Sequence, residues 1–298
     1  MVTRRTDLAL EAGELWREGG GDGPPGVAER EWEEAGFRLR ELRILDAQGE
    51  KALGKPAGTY LSMDLDPLTH WEEGAFPRAA TLLAGLLRRL LSIGGDETVL
   101  VCGLGNAAIT PDRIGPEALR STLATRHLLH SLPETFAGLR PVCALECGVM
   151  GATGLESAEL IRAVTEAVRP AAVVAVDALA ARRMRRICRT VQLSDTGIVP
   201  GSGVGNARAE LSRATLGVPV IAVGVPTVVD AGTLAADLLT EAGLREPPEE
   251  LLSRTGAGLF VTPRSIDSLV RDAGKLIGYG LDLALHEGLT VEDVQMLL

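Results

Sequence analysis

The stretch 171-AAVVAVDALAARRMRR-186 decides how this chain is read. Residues 171–176 are all Ala or Val, the unbroken, partly β-branched apolar run of a strand buried on both faces. The run closes on Asp177, and the Ala- and Arg-rich residues beyond it predict a helix over 178–187. An ionised carboxylate withdrawn from water costs several kcal/mol unless something compensates it. Asp177 therefore needs a purpose.

Outward from this strand the same alternation repeats. Residues 77–92 have the spacing of an amphipathic helix, and 98-TVLVCGLG-105 reads as a buried strand entering a glycine turn. Helical patterns at 115–130 and 156–168 flank an extended 140-RPVCALE-146, and 218-VPVIAVGVPT-227 is a further buried strand. A helix is expected over 230–243, a looser connection over 244–260, and a long helix over 263–287 with Thr262 as N-cap and Pro263 at its first position. On the N-terminal side, 19-GGGDGPPG-26 is a glycine-rich break. The charged 28-AEREWEEAGFRLRELRIL-45 reads as a solvated helix or strand face, and 46-DAQGEKALGKPAGTYLSMDL-65 as a hairpin-like addition. The pattern predicts an α/β fold, a three-layer sandwich around a mostly parallel central sheet, with that addition at the N-terminal end.

Composition agrees with such a core and excludes several functions. Of 298 residues 46% are hydrophobic but only 3% aromatic, so the interior must be built from Ala, Val, Leu and Ile. A net charge of −10 argues against a nucleic-acid-binding footprint, which needs clustered positive charge. The N-terminal 1-MVTRRTDLALEAGEL-15 lacks the apolar centre of a signal peptide, and no stretch has the length of a membrane span, so a cytoplasmic protein without membrane contact is expected. Cys102, Cys143, Cys147 and Cys188 lie mostly in strand-like contexts, without the spacing of a zinc knuckle, and read as buried free thiols. Lysine occurs only at positions 51, 55 and 275, a bias that carries no functional weight by itself.

In open parallel sheets functional groups gather at the carboxyl ends of strands. Asp177 ends its own strand in this reading, and Asp112 lies in 103-GLGNAAITPDRIGP-116, the loop leaving the strand at 98–102. Two carboxylates held close share a proton, so that one acts as base and the other as acid toward a water molecule attacking a peptide carbonyl. Spacing alone equally allows both to be helix N-caps, Asp112 for a helix near Gly115 and Asp177 for one at Ala178. Weaker signals surround them. The loop 201-GSGVGN-206 reads as structural or substrate-lining rather than as a phosphate cradle. His127 and His130, three apart, lack a third metal ligand, and no metal or cofactor is expected.

Motifs running through most of the chain decide between these readings. The segments 4-RRTDLALEA-12, 101-VCGLGNAAITPDRIGP-116, 125-TRHL-128, 148-GVMGATGLES-157, 174-VAVDALAAR-182, 193-LSDTGIVPGSGVGN-206, 216-LGVPVIAVGVPTVVDA-231 and 260-FVTPRSID-267 resemble the germination proteases of spore-forming bacteria. Those are endopeptidases that degrade small acid-soluble spore proteins. The resemblance implies that Asp112 and Asp177 are the catalytic pair. It implies a zymogen that removes its own propeptide by cutting after an acidic residue, and Thr6-Asp7-Leu8-Ala9-Leu10-Glu11 reproduces the cleaved pattern. Self-cleavage is therefore expected between Asp7 and Leu8, with residues 1–7 as propeptide and 8–298 as one peptidase domain. The alternative for that stretch is an ordinary helix start with Thr6 or Asp7 as N-cap. Arg182, Arg183, Arg185 and Arg186 read as a solvated helix face, with the alternative that Arg182, within the VDALAAR motif, recognises the acidic residue before the cut through paired hydrogen bonds. The resemblance further implies a homotetramer in the spore core. A second family, the hydrogenase maturation endopeptidases, is similar in its Gly-x-Gly-Asn, in an acidic residue six positions on and in an Asp ending a later strand. Asn106, Asp112 and Asp177 fit that pattern too, and there the acidic pair, with a histidine, binds substrate nickel; the segments 193–206 and 216–231 favour the first family. A non-catalytic α/β protein, both aspartates merely capping, is the third reading.

Overall fold

The computed structural model describes residues 5–20, 23–244 and 258–298. Residues 1–4 of the expected propeptide, 21–22 of the glycine-rich break and 245–257 of the expected looser connection lie outside the described residues.

The strands are β1 (Val27–Glu34), β2 (Phe37–Ile44), β3 (Gly58–Asp64), β4 (Val99–Leu104), β5 (Val142–Gly148), β6 (Ala172–Ala181), β7 (Thr190–Ser194), β8 (Val220–Asp230) and the two-residue β9 (Phe260–Val261). They form one sheet in the order β1-β2-β3-β7-β8-β6-β4-β5, with β9 added beside β8. The centre, β5-β4-β6-β8, is parallel throughout. From β8 outward the sheet continues antiparallel through β7, β3, β2 and β1.

Alternation along the central strands builds three layers. Val99 and Val101 of β4, Val174 and Val176 of β6, and Ile221 and Val223 of β8 point into one core with residues of helices Ala75–Leu90, Ile114–Leu119 and Ile266–Leu285. Leu100, Cys102, Val173, Ala175 and Val220 point the other way, against Ala158 and Ile161 of helix Ser157–Val168. Cys102, Cys147 and Cys188 are buried free thiols, and Cys143 is half-buried.

Four local expectations differ from what the chain does. Residues 178–181 are not helical: β6 runs past Asp177 to Ala181, because the long β8 offers partners for each of them, from Ala178 opposite Val225 to Ala181 opposite Val229. Pairing overrides the helix propensity of alanine here. The hairpin lies at residues 27–44, within the charged segment, where Ala35 and Gly36 both take positive φ in the two-residue turn that right-twisted strands favour. Residues 46–65 instead hold a short helix, Ala47–Leu53, capped by Asp46, and then β3. β1 is an edge strand whose side chains are mostly exposed and charged, which discourages pairing with other molecules.

The helix expected over 115–130 breaks into Ile114–Leu119 and Arg126–Ser131. Thr122 Oγ1 donates to Ala118 O, and Leu123 N is drawn to Asp282 Oδ1 at 2.9 Å. The last long helix begins at Ile266 with Ser265 at the cap position, since Thr262 Oγ1 donates instead to Thr227 O on β8 at 2.9 Å. Among the described residues no helix is long and apolar enough to cross a membrane.

Candidate active site

The chain leaves β4 toward β5 on one side and leaves β6 toward β7, beyond β8, on the other. A crevice therefore opens beyond the carboxyl ends of these two neighbouring strands, where connections diverge and ligands of α/β sheets bind. Asp112 reaches it from the loop after β4. That loop turns tightly at Gly105, whose φ of +98° suits glycine and whose missing Cβ leaves room for the Asp112 backbone carbonyl. Asn106 N donates to Asp112 Oδ2 at 2.8 Å, fixing the carboxylate. The Asn106 side chain is itself used in the turn, its Oδ1 accepting from Ala108 N.

Asp177 projects from within β6, 5% exposed, and its Oδ1 accepts from Ala178 N at 2.9 Å. Neither aspartate caps a helix. Helix Ile114–Leu119 has Arg113 at its cap position and no side-chain cap, and Asp177 lies inside a strand. Asp112 and Asp177 line the same cleft of about 410 Å³, together with Asp7. Burial pushes the Asp177 carboxyl well above the usual carboxylate range, and the charges of Asp112 and Asp7 push it further; Ala178 N pulls back. Asp112 is also raised by burial, against the pull of Asn106 N. Both carboxyls are thus shifted toward their protonated forms, Asp177 the more strongly.

Asp7 brings the N-terminal segment to this cleft. Asp7 N donates to Ala180 O at 2.9 Å, and Ala180 N returns a bond to Asp7 Oδ2 at 2.8 Å. Ser202 Oγ donates to Asp7 Oδ1 at 2.7 Å. Gly203 leaves the space that the Asp7 carboxylate fills. The Asp7 carbonyl accepts from Lys55 Nζ at 2.9 Å and from Gln192 Nε2 at 3.2 Å. Leu8 is wholly buried in the main core, Ala9 N donates to Gln192 Oε1 at 2.7 Å, and the helix Ala9–Glu18 starts at once. The N-cap position is Leu8, so neither Thr6 nor Asp7 caps this helix.

Glu11 ends the docked hexapeptide. Fully buried, it accepts from Thr6 Oγ1, from Arg182 N at 2.6 Å and from Arg183 N at 3.1 Å, and pairs with Arg186 Nε at 3.2 Å. Even so, burial outweighs these partners and raises its pKa. The Arg182 side chain takes a different place from the one expected. It is 1% exposed, with Nε on both Asp237 oxygens at 2.8 and 2.9 Å and Nη2 on Glu18 at 2.7 Å. Ala180 N and Ser202 Oγ, not this guanidinium, hold the Asp7 carboxylate. The physical reason is the continued strand: a chain that stays extended to Ala181 offers its own backbone N–H to the acidic side chain.

Sequence reasoning thus places Asp112, Asp177 and Asp7 together and misses Lys55, Gln192 and Ser202. Two signals were present. Lysine is so rare in this chain that Lys55 stands out, and Ser202 lies in the glycine-rich loop 201–206, which the structure wraps against Asp7. Nothing marks Gln192. His127 and His130 sit on helix Arg126–Ser131, and among the described residues no group of three or more His, Cys, Asp or Glu is arranged to hold a metal ion.

Asp7 thus lines the cleft shared by Asp112 and Asp177, while its carbonyl is held by Lys55 and Gln192, which line an adjoining cavity with Asp177, and Leu8 is buried in the main core. The germination protease family model matches residues 11–242. The germination protease of Clostridium tetani is 39% identical, covering 99% of each chain, and that of Caldanaerobacter subterraneus subsp. tengcongensis 42%, covering 99% of this chain and 98% of its own. The germination protease of Bacillus pumilus is 36% identical over 97% of this chain and 95% of its own. The chain belongs to the germination protease family. Among solved structures, a [NiFe] hydrogenase maturation protease HycI from Thermococcus kodakarensis KOD1 is similar over 66% of this chain and 98% of its own, at 19% identity and a TM-score of 0.36, too loose a match to carry an argument.

Proposed function

We propose that this chain is an endopeptidase that begins the breakdown of small acid-soluble spore proteins during germination, cutting after an acidic residue with Asp112 and Asp177 as its catalytic pair. It is made as a zymogen: residues 1–7 are a propeptide, residues 8–298 the peptidase domain, and the first cut falls between Asp7 and Leu8. The observation that carries this reading is the seating of Asp7 in the cleft lined by both aspartates, with its carbonyl engaged and Leu8 buried.

In this reading the member of the pair that is ionised takes a proton from water, and the protonated member delivers one to the departing nitrogen. The raised pKa of each aspartate favours such sharing. Ala180 N and Ser202 Oγ select an acidic side chain before the cut, and Glu11, in its nest of Arg182 N, Arg183 N and Arg186, accounts for the second acidic residue of the pattern. Arg182 then acts through the Glu11 nest and its ion pairs, and Asn106 by orienting Asp112 rather than by touching substrate. Location in the spore core and assembly as a homotetramer belong to the same proposal and rest on family resemblance.

The test is incubation of the purified chain, and of Asp112→Asn and Asp177→Asn, with a peptide containing Thr-Glu-Phe-Ala-Ser-Glu, with and without a chelator, while the mass of the protein's own N-terminal fragment is followed. Cleavage after Glu, a new N-terminus at Leu8 and loss of both in the variants are expected. Strict nickel dependence would favour the hydrogenase-maturation reading, against which family membership weighs.

A further inference from the structure

Resting on the proteolytic reading just given, we propose that Lys55 and Gln192 form the oxyanion hole of this enzyme. Their nitrogens converge on one oxygen, the carbonyl of Asp7, at 2.9 Å and 3.2 Å. That carbonyl belongs to the peptide bond between Asp7 and Leu8. Neither donor comes from the strands that carry the aspartates. Lys55 precedes β3 and Gln192 lies in β7, both in the antiparallel half of the sheet. A cavity lined by Asp7, Lys55, Asp177 and Gln192 joins the two halves, with Asp177 and the donors on its walls.

The orientation of Gln192 is fixed by its two partners. Oε1 accepts from Ala9 N at 2.7 Å, which leaves Nε2 to face the Asp7 carbonyl. One side chain thus holds the backbone on both sides of Leu8. Burial pulls the Lys55 ammonium below the ordinary lysine value, while Asp7 and Glu11 hold it up. A buried cation with a neutral amide beside it is a preorganised place for negative charge.

The step balances as follows. Water attacks the Asp7 carbonyl carbon and its oxygen bonds there, while the carbonyl π pair moves onto the Asp7 oxygen, against Lys55 Nζ and Gln192 Nε2. The ionised carboxylate of the aspartate pair accepts the proton from the water. Collapse reforms the carbonyl and breaks the bond to the Leu8 nitrogen, which takes a proton from the protonated carboxyl. The products are a carboxyl at Asp7 and an amine at Leu8, with no other reactant.

The experiment compares the wild-type chain with Lys55→Met, Lys55→Arg, Gln192→Glu and Asp177→Asn, using cleavage of a peptide containing Thr-Asp-Leu-Ala-Leu-Glu and folding checked by circular dichroism. Lys55→Met should lower kcat by about 10²–10³-fold, the usual effect of removing one such donor, with KM little changed. Lys55→Arg should restore part of the loss. Gln192→Glu keeps the acceptor for the backbone N–H but turns the other donor into an acceptor, so kcat should fall while KM holds; it also serves if Lys55→Met does not fold. A folded Lys55→Met or Gln192→Glu with wild-type kcat, or a loss confined to KM, overturns the assignment alone, provided Asp177→Asn is inactive. A wild-type chain that does not cut, or an Asp177→Asn that does, removes the proteolytic reading and this assignment with it.

Discussion

Asp7 and Ala180 exchange two hydrogen bonds, one from the Asp7 amide to the Ala180 carbonyl and one from the Ala180 amide back to the Asp7 carboxylate. The exchange depends on β6 remaining a strand three residues beyond Asp177. It places an acidic residue of the chain's own N-terminal segment in the cleft that Asp112 and Asp177 line.

Gly203→Ala should unseat Asp7, since a Cβ at 203 would meet the Asp7 carboxylate and the Ala180 side chain. Ser202→Ala should act in the same direction more weakly, because it removes only the hydroxyl bond to Asp7 Oδ1. A hydrogen bond to a charged group contributes about 1.5–3 kcal/mol, and partial exposure here puts the Ser202→Ala effect at the lower end, roughly tenfold in kcat/KM. Peptides with Asp or Glu before the cut, compared with Asn or Gln, measure the loss of selectivity.

Asp177→Asn should abolish cleavage, by about 10²–10⁴-fold or more for the loss of one acid–base partner, and yet stabilise the protein. The folded-state pKa of Asp177 is raised, so between its unfolded and folded values the native chain holds a proton that the unfolded chain has released. Stability therefore falls as pH rises through that window, and asparagine removes the loss while still accepting from Ala178 N. Melting temperatures of the two proteins should converge toward acid pH and separate toward neutral pH. Equal midpoints at neutral pH would show that burial of Asp177 carries no such cost.

Asp282 gives a second pH signature, away from the cleft. Its carboxyl, on the last long helix and held by the distant Leu123 N, is pushed up to about 8 by burial, whereas burial lowers nearby His286 to about 4. The Asp282 contribution makes stability decline from the ordinary aspartate range up to about pH 8, where it levels off. The His286 contribution makes stability decline as pH falls below the ordinary histidine value toward about 4. Asp282→Asn should remove the first decline and leave the second, as thermal melts across pH 4–9 would reveal.

Arg182→Ala should act on stability before specificity. Removing a buried guanidinium from paired carboxylates typically costs about 3–5 kcal/mol, and Asp237 and Glu18 both lean on this one. The expected outcome is a large drop in melting temperature, with the preference for an acidic residue before the cut retained in whatever remains folded. Loss of that preference at unchanged stability would return Arg182 to the recognition role that its motif suggested.

The parallel centre of the sheet was legible because the runs at 99–104, 172–176 and 220–225 are apolar throughout, which only strands covered on both faces require. Asp112 and Asp177 were legible as candidates by their place at the sheet's rim, but spacing could not separate catalysis from capping, and only the fold shows that neither caps a helix. What stayed hidden depends on pairing between distant segments. Ala178–Ala181 have no strand character until β8 lies beside them. Lys55 and Gln192 are more than 130 residues apart, and only the antiparallel register of β3 on β7, with Ser62 opposite Gln192, brings them to one oxygen. Arg182 read as solvated or substrate-facing because its acidic partners are remote in sequence, Glu18 in the first helix and Asp237 55 residues beyond Arg182 itself.

The helix Ala9–Glu18 begins one residue after the Asp7–Leu8 bond, with Leu8 in the cap position. Hydrolysis there would leave a newly made ammonium at the positive end of a helix dipole, where a cation is disfavoured by about 0.3–1 kcal/mol. The fragment ending at Asp7 would at the same moment gain a second negative charge among Asp112 and Asp177. Lys55 Nζ, at 2.9 Å from that same end, would pull the new carboxylate back, so the two ends differ: the helix disfavours the fresh ammonium, while the severed strap is held by a lysine until something displaces it.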